Sequence, residues 1–250
     1  STIIDGLGWV VDNQSTLAVP IRIVNLAFAS DPATPYVNDP LAYAVEQVWN
    51  AGIVVVAAAG NAGPTTSSLA DPAYDPFVIA VGASDPRGTV TLSDDTVAPF
   101  SQAGSTTRGV DIVAPGVSVE GLRNPGSFID WLYPEGVFNG RLFKGSGTSQ
   151  SSAVVSGAAA LLIQRYPSIT PDGVKWALGR GAVAVVGGTP STSGRGSLSI
   201  KRAMESGEVA ATFPNRFAQT WEQAVLGPLA RAPIGSSDPY AGSPFEARRW

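Results

Sequence analysis

The sequence predicts an α/β fold, a doubly wound parallel sheet flanked by helices. Three apolar runs predict its strands: IVVVAAA at 53–59, FVIAVGA at 77–83 and VDIVAPG at 110–116. Unbroken apolar runs of this kind are typical of strands that are covered on both faces, as in parallel sheets. Because segments with helical spacing of apolar residues alternate with these runs, we expect the strands to be joined by crossover helices.

The chain before the first of these runs predicts a helix, a strand and a second helix. Residues 2–12 carry apolar residues at helical spacing, and RIVNLAF at 22–28 is typical of a short buried strand. Asn38, Asp39 and Pro40 then supply a cap, an early acid and a first-turn proline, which together predict a helix start. Apolar residues recur at helical spacing through the rest of that segment.

Two further helices are predicted after the last apolar run. Residues 148–165 are small and apolar almost throughout, which is typical of a long helix packed in a core. Thr170 and Pro171 form a second helix start, with a capping hydroxyl followed by a first-position proline.

The composition changes near residue 207 and divides the chain in two. Residues 1–207 hold all of the predicted strands, whereas residues 208–250 are rich in Pro, Gly, Ser and Ala. We predict one domain over 1–207. Residues 208–250 are expected to form an extension or tail, in which residues 220–230 are compatible with a short helix.

The composition excludes several classes of function. Apolar residues make up 44% of the chain and charged residues 14%, which predicts a large core and not a disordered chain. The net charge is −4 and no basic cluster occurs, which argues against a nucleic-acid partner. No apolar run is long enough to span a membrane, so no membrane partner is expected.

The chain has neither cysteine nor histidine, which limits its chemistry further. Disulfides, thiolate catalysis and zinc–thiolate sites are excluded, and a transition-metal site is not expected. An oxygen-ligated cation such as calcium stays compatible with the sequence. The opening residues STIIDGLGWV do not form a signal peptide, since they lack its basic region and cleavage site. Because the sequence begins with Ser and not Met, we expect a processed or truncated chain.

A candidate nucleophile lies in GSGTSQSSAVVSGAAALL at 145–162, at the start of the long predicted helix. Gly147 allows a sharp turn, and Thr148 and Ser149 follow it. The first N–H groups of a helix are free and lie at its positive end, so the backbone N–H of Ser149 suits an oxyanion. Taken alone, however, such a short motif is more often a capped, closely packed helix.

A candidate oxyanion donor follows the first apolar run, in VVVAAAGNAGP at 54–64. The side-chain amide of Asn61 suits that role, and Ala58, Ala59 and Gly60 suit the wall of a substrate pocket. Such small walls accommodate a sizeable apolar side chain without selecting one. Taken alone, Gly-Asn is also a common turn pair.

Four motifs in order carry a resemblance to a known family. VVVAAAGNAG, YDPFVIAVGASD, APFSQAGSTTRGVDIVAPG and GSGTSQSSAVVSGAAALL resemble the later two-thirds of a subtilisin-like serine peptidase, and the match covers residues 1 to about 205. The resemblance implies a secreted serine endopeptidase that acts through an acyl-enzyme, with Ser149 as nucleophile and Asn61 as oxyanion amide. The substrate-binding residues it implies are Ala27, Phe28, Ala29, Ala58, Ala59, Gly60, Gly147 and Thr148.

The aspartate and histidine of that family lie upstream of the matching region, together with its first strands. We therefore expect an N-terminal fragment of the same protease to supply both residues, and the chain alone to be almost inactive. Without those strands, the strand at 22–28 would be an exposed apolar edge, which promotes aggregation. The expected partners are this fragment and a peptide or protein substrate.

Three alternatives remain open at this point. The chain is also compatible with a catalytically inactive subtilase-like binding or structural subunit. A serine–carboxyl peptidase is disfavoured, because Asn61 stands where an aspartate is expected and no suitable Glu/Asp pair precedes it. A Ser–Lys dyad is disfavoured because none of the three lysines lies where the fold would bring it to Ser149; Lys144, Lys175 and Lys201 are expected to be solvated.

Other charged groups have no predicted role. The carboxylates of Asp71, Asp75, Asp94, Asp95 and Asp111 are expected in solvated or capping turns. No cofactor is required, although the family resemblance is compatible with a structural calcium near residues 71–76, for which no ligands are assigned.

Overall fold

The computed structural model describes residues 2–211 and has the predicted α/β architecture. Four parallel strands lie in the order β1-β2-β3-β5, and a short β4 pairs antiparallel with the end of β3. Their bounds are β1 Ile23–Leu26, β2 Val54–Ala58, β3 Ile79–Asp85, β4 Thr96–Val97 and β5 Ile112–Pro115. The three apolar runs that predict strands thus all enter one sheet.

Helices flank this sheet. Their bounds are α1 Thr2–Asn13, α2 Pro40–Asn50, α3 Phe128–Leu132, α4 Thr148–Arg165, α5 Pro171–Gly181 and α6 Ile200–Ala210. Helix α4 packs across all four parallel strands, which its small buried residues Ala158 and Ala159 permit. None of the helices in residues 2–211 is both long and apolar enough to cross a membrane.

Two helix starts follow the capping rules closely. The Asp39 carboxylate accepts hydrogen bonds from the backbone N–H groups of Leu41 and Ala42, so Asp39, and not Asn38, caps α2. The Thr170 hydroxyl accepts from the backbone N–H of Gly173 at the start of α5. Each cap satisfies N–H groups that a helix cannot satisfy internally.

A second, smaller sheet precedes α4. Strands β6 Val119–Leu122, β8 Leu142–Gly145 and β7 Val137–Phe138 pair antiparallel in that order, and α3 lies between β6 and β7 in the chain. Since β8 runs directly into the start of α4, this small sheet fixes the approach of the chain to the turn at Gly147.

The structure corrects the solvated position predicted for several charged residues, although Asp75 does lie in a capping turn, where its carboxylate accepts from the Phe77 N–H at 2.8 Å. Lys175 and four of the five named aspartates are buried, and only Asp94 is partly exposed; the buried aspartates are Asp71, Asp75, Asp95 and Asp111. Lys175 pairs with Asp111 at 3.2 Å. Asp111 can be buried because it faces Lys175 and Arg108, and the first of these pairings joins residues far apart in the sequence. Within residues 2–211, Asp95 has no such partner and accepts a hydrogen bond of 2.7 Å from the Ser197 hydroxyl instead.

The predicted division at residue 207 falls inside α6. Residues 212–250, including the short helix expected at 220–230, lie outside the described residues. The division into a domain and an extension therefore stays a prediction.

Candidate functional site

Ser149 lies in the first turn of α4, with Gly147 at the cap position. Its hydroxyl donates a hydrogen bond of 2.7 Å to the carbonyl oxygen of Ala27, which directly follows β1. Within residues 2–211, its backbone N–H has no hydrogen-bond acceptor. The helix start thus presents a hydroxyl and a free N–H from one residue, at the carboxyl end of a parallel strand.

Asn61 lies across from this helix start and is held by its side-chain oxygen. That oxygen accepts from the backbone N–H of Thr148 at 2.9 Å and from the Thr148 hydroxyl at 3.1 Å. Because both bonds engage the oxygen, the NH₂ group of the carboxamide is directed elsewhere. No residue in the described part of the chain accepts a hydrogen bond from it.

Thr148 joins the two motifs. Its fully buried hydroxyl accepts a 3.2 Å hydrogen bond from the backbone N–H of Gly60 and donates to the Asn61 oxygen. The resemblance implies substrate binding for Thr148, and these bonds add a positioning role. Thr148 therefore connects two turns that lie 87 residues apart in the sequence.

A pocket of about 410 Å³ opens beside Ser149. Its lining residues are Ala29, Ser30, Asp31, Ala58, Gly60, Asn61, Ala62, Ala70, Gln102, Thr148 and Ser149. The lining includes both candidate catalytic residues and four of the predicted substrate-binding residues, Ala29, Ala58, Gly60 and Thr148. Four others lie just outside it: Ala27 contacts Ser149 through its carbonyl, Phe28 packs partly against the core, Ala59 is fully buried, and Gly147 caps α4.

Five lining residues have no counterpart in the sequence-based prediction: Ser30, Asp31, Ala62, Ala70 and Gln102. Ser30, Asp31 and Ala62 lie within two positions of predicted residues, and this proximity in the sequence is the signal that could have indicated them. Ala70 and Gln102 reach the pocket from distant loops, which no local pattern indicates.

Glycine is required at position 60. Its backbone φ is +105°, a region that residues with a side chain rarely adopt. A Cβ atom there would lie 2.1 Å from Oε1 of Gln102 and 3.0 Å from Cβ of Ala70. The close approach of Gln102 therefore depends on the missing side chain of Gly60.

The electrostatics beside the pocket are acidic. Behind Ser30 lies the buried Asp71, and the two residues exchange backbone hydrogen bonds of 3.1 and 2.9 Å. Burial raises the pKa of Asp71 to about 6, and the negative charge of Asp39 adds to this increase. One carboxylate oxygen of Asp71 is buried without a hydrogen-bond partner in the described residues.

The residues near 71–76 do not fit a calcium ion in the arrangement that they adopt. The carbonyl oxygens of Ala73 and Asp75 accept from the Arg108 guanidinium at 2.8 and 2.7 Å, and that of Pro76 accepts from the Lys175 ammonium at 2.7 Å. Two side-chain cations thus already occupy these oxygens. Nor do residues 2–211 contain a cluster of three or more His, Cys, Asp or Glu side chains suited to a metal.

Comparison with known proteins places these features in a family context. Residues 1–204 match the model described as the Subtilase family, Peptidase S8. Serine protease AprX of Bacillus subtilis (strain 168) is 39% identical over 209 residues, which cover 81% of this chain and 47% of AprX. Subtilisin DY of Bacillus licheniformis is 30% identical, and the match covers 82% of this chain and 62% of that protein. The chain thus spans about half of the length of the curated relatives that it matches.

Solved structures agree with this match. Fervidolysin from Fervidobacterium pennivorans, a keratinolytic enzyme related to subtilisin, has a TM-score of 0.63 and 25% identity over 81% of this chain and 28% of that one. The prenylagaramide maturation protease PagA has a TM-score of 0.61 and 26% identity over 82% of this chain and 66% of its own.

Proposed function

The chain belongs to the subtilase family of serine peptidases, and on that basis we propose that it is the nucleophile-bearing chain of a subtilisin-like serine endopeptidase. Ser149 attacks the scissile carbonyl and forms the acyl-enzyme. The backbone N–H of Ser149 and the Asn61 amide stabilise the oxyanion. The catalytic Asp and His come from an N-terminal fragment of the same protease, outside these 250 residues. We place the protease outside the cell.

One observation carries this proposal: Ser149 and Asn61 line the same pocket and are linked through Thr148. Within residues 2–211, neither the Ser149 N–H nor the Asn61 NH₂ group donates to another residue, so both are available to a substrate oxygen. Donors that are fixed before the reaction stabilise developing charge at little reorganisation cost. The arrangement therefore suits an oxyanion that is bound between these two donors.

Residues 2–211 do not provide a general base for Ser149. A serine hydroxyl needs a neighbouring base to become a good nucleophile, yet the Ser149 hydroxyl donates to a neutral carbonyl oxygen. No histidine occurs in the 250 residues. Of the lysines, Lys144 pairs with Glu120, Lys175 with Asp111, and Lys201 is exposed on α6, so none of the three supports a Ser–Lys dyad.

Two surfaces support the binding of an N-terminal fragment. In the described residues, β1 pairs only with β2, so the other edge of this strand is open. On α4, which packs on β1, the outward residues Ala153, Gly157, Ala160 and Leu161 are exposed and lack polar side chains. Open apolar edges are normally paired or covered, and a fragment that adds strands beside β1 would cover both surfaces.

A fluorophosphonate probe tests the proposal. We expect the probe to label Ser149, and peptide bonds to be hydrolysed, only when the chain is combined with the fragment that carries the histidine. Replacing that histidine by alanine serves as the control and should remove both activities. Intact mass spectrometry of the natural particle should reveal the second, histidine-containing polypeptide.

Two results would contradict the proposal. Labelling at full rate in the chain alone would show that no outside base is needed. An unlabelled Ser149 in the natural assembly, with an open cleft, would favour the inactive binding subunit instead.

Substitution of Thr148 tests its positioning role. In Thr148→Val the Asn61 oxygen loses one of its two donors and the amide is held less firmly, so we expect kcat to fall about tenfold, the equivalent of one hydrogen bond. Thr148→Ser keeps the hydroxyl and should keep most of kcat. Steady-state kinetics of the complete protease provide the measurement. A rise in KM at constant kcat would indicate substrate binding in place of positioning.

A further inference from the structure

We infer that the pocket beside Ser149 selects substrates with a basic side chain, lysine or arginine, on the acyl side of the scissile bond. This inference rests on the proposed function and adds the substrate class to it. Among the lining residues that belong to the described part of the chain, the hydrocarbon side chains are all alanines, and Asp31 is the one charged residue. The pocket therefore has room for a long side chain but offers little apolar surface to it.

Gln102 places an acceptor oxygen at the pocket. Its NH₂ group donates to the carbonyl oxygen of Ser68 at 2.9 Å, which fixes the orientation of the buried carboxamide. The carboxamide oxygen then packs against Gly60, and its one described donor, the Ala62 N–H, lies at a long 3.4 Å. An amide oxygen can accept two hydrogen bonds, so it has capacity left for an ammonium or guanidinium group.

The charge around the pocket has one sign. The Asp31 carboxylate is exposed at the pocket and has no ion pair or hydrogen bond with any residue in 2–211. Asp71 lies directly behind Ser30, and within residues 2–211 no lysine or arginine lines the pocket. A cleft lined by one sign of charge concentrates its field and attracts the opposite charge. A neutral apolar side chain would instead cover acceptor oxygens without pairing them, which is unfavourable.

The inference is tested in the complete protease with two peptide substrates that differ in one residue. One has lysine before the scissile bond, and the other has norleucine, which has a straight uncharged side chain. We expect kcat/KM to favour lysine by at least about tenfold, the effect of one charge-assisted hydrogen bond. Asp31→Asn should lower this ratio about tenfold, and Asp31→Lys should reverse the preference. Glu205→Gln removes the same charge from exposed α6 and should leave the ratio unchanged.

The outcomes separate this inference from the proposed function. If the fluorophosphonate probe labels Ser149 but norleucine is preferred, or if Asp31→Asn keeps the ratio, the inference is overturned and the proposed function stands. If the complete protease is neither labelled nor active on any peptide, both are overturned. High salt should also weaken the preference for lysine, since it screens partly exposed charges.

We also infer, from a separate set of contacts, that the Arg108 and Lys175 side chains take the place of a bound metal cation at the segment 73–78. The guanidinium donates to the carbonyl oxygens of Ala73, Asp75 and Val78 and pairs with the Asp111 carboxylate at 3.1 Å. The Lys175 ammonium donates to the Pro76 and Val78 carbonyl oxygens. Several carbonyl oxygens and one carboxylate form a ligand set typical of calcium, but here side-chain nitrogens occupy it.

Thermal unfolding of the complete protease tests this inference. We expect Arg108→Ala to lower Tm by about 5 °C, because it removes several buried hydrogen bonds. Millimolar calcium should restore part of that loss, whereas it should change the wild-type Tm less. Arg22→Ala is the matched control, since Arg22 also donates to two carbonyl oxygens, those of Pro167 and Ile169. Its loss of stability should not respond to calcium.

A calcium response in Arg108→Ala no larger than in the wild type would overturn the inference. If Arg108→Ala does not fold, Arg108→Lys replaces it. The shorter ammonium reaches fewer carbonyl oxygens, and the same comparison of Tm with and without calcium then applies.

Discussion

Replacing Ser149 by alanine is expected to abolish peptide-bond hydrolysis by the complete protease while leaving the fold almost unchanged. The side-chain contact of Ser149 is a single hydrogen bond to the Ala27 carbonyl at the edge of the pocket. Alanine is also the better helix former in the first turn of α4. The expected loss in kcat is about 10⁶-fold, a value carried over from subtilisin itself, where loss of the nucleophile has this effect.

The measurement combines kcat on a peptide substrate with Tm of the same preparation. Ser156→Ala is the matched control, because Ser156 also lies on α4 and its hydroxyl donates to a backbone carbonyl, that of Ser152. That variant should keep kcat. The free energy of unfolding of Ser149→Ala should stay within about 0.5 kcal/mol of the wild type. Substantial hydrolysis by Ser149→Ala would mean that another residue is the nucleophile.

The sheet could be predicted because its signals are local. The runs at 53–59, 77–83 and 110–116 are apolar without interruption, and each contributes a strand that is buried almost throughout. The start of α5 could be predicted for the same reason, since the Thr170 cap and the following proline act on their immediate neighbours. Such features depend on a few consecutive residues and not on the rest of the fold.

The smaller sheet could not be predicted in the same way. Its strands have two to four residues, and their side chains are exposed or only partly buried. Without a buried face, no periodic pattern of apolar residues marks such strands. In α3, moreover, the polar Asp130 faces Arg123 while Phe128 and Trp131 are exposed, which is the reverse of an amphipathic pattern.

The buried charges show a second limit. Lys175, Asp111 and Asp75 are all buried, although isolated charges are expected at the surface. Lys175 and Asp111 are paired across 64 positions of the chain, and the carbonyl oxygens around them come from a third segment. A sequence read residue by residue contains no sign of that pairing, because the partners meet only after the strands and helices have packed.

The candidate site likewise has one part that could be predicted from the sequence and one part that could not. The motifs around Asn61 and Ser149 could be predicted because each is a short segment with a fixed backbone task, a turn after a strand and the start of a helix. The hydroxyl of Thr148, which joins them, and Gln102, which reaches the pocket from a distant loop, act through tertiary contacts. Residues of that kind become visible only when the distances are known.

Replacing Asn61 by leucine is expected to lower kcat of the complete protease about 10²–10³-fold, the loss known for an oxyanion donor of this type in subtilisin. The substitution removes the free NH₂ group and also releases the Thr148 N–H and hydroxyl from their shared acceptor. Asn61→Asp separates these effects, because it keeps an acceptor oxygen for Thr148 and replaces the donor with a negative charge. We expect Asn61→Asp to retain Tm and still lose at least as much kcat as Asn61→Leu. If either variant turns over at the full rate with KM unchanged, the Asn61 amide does not contact the developing oxyanion.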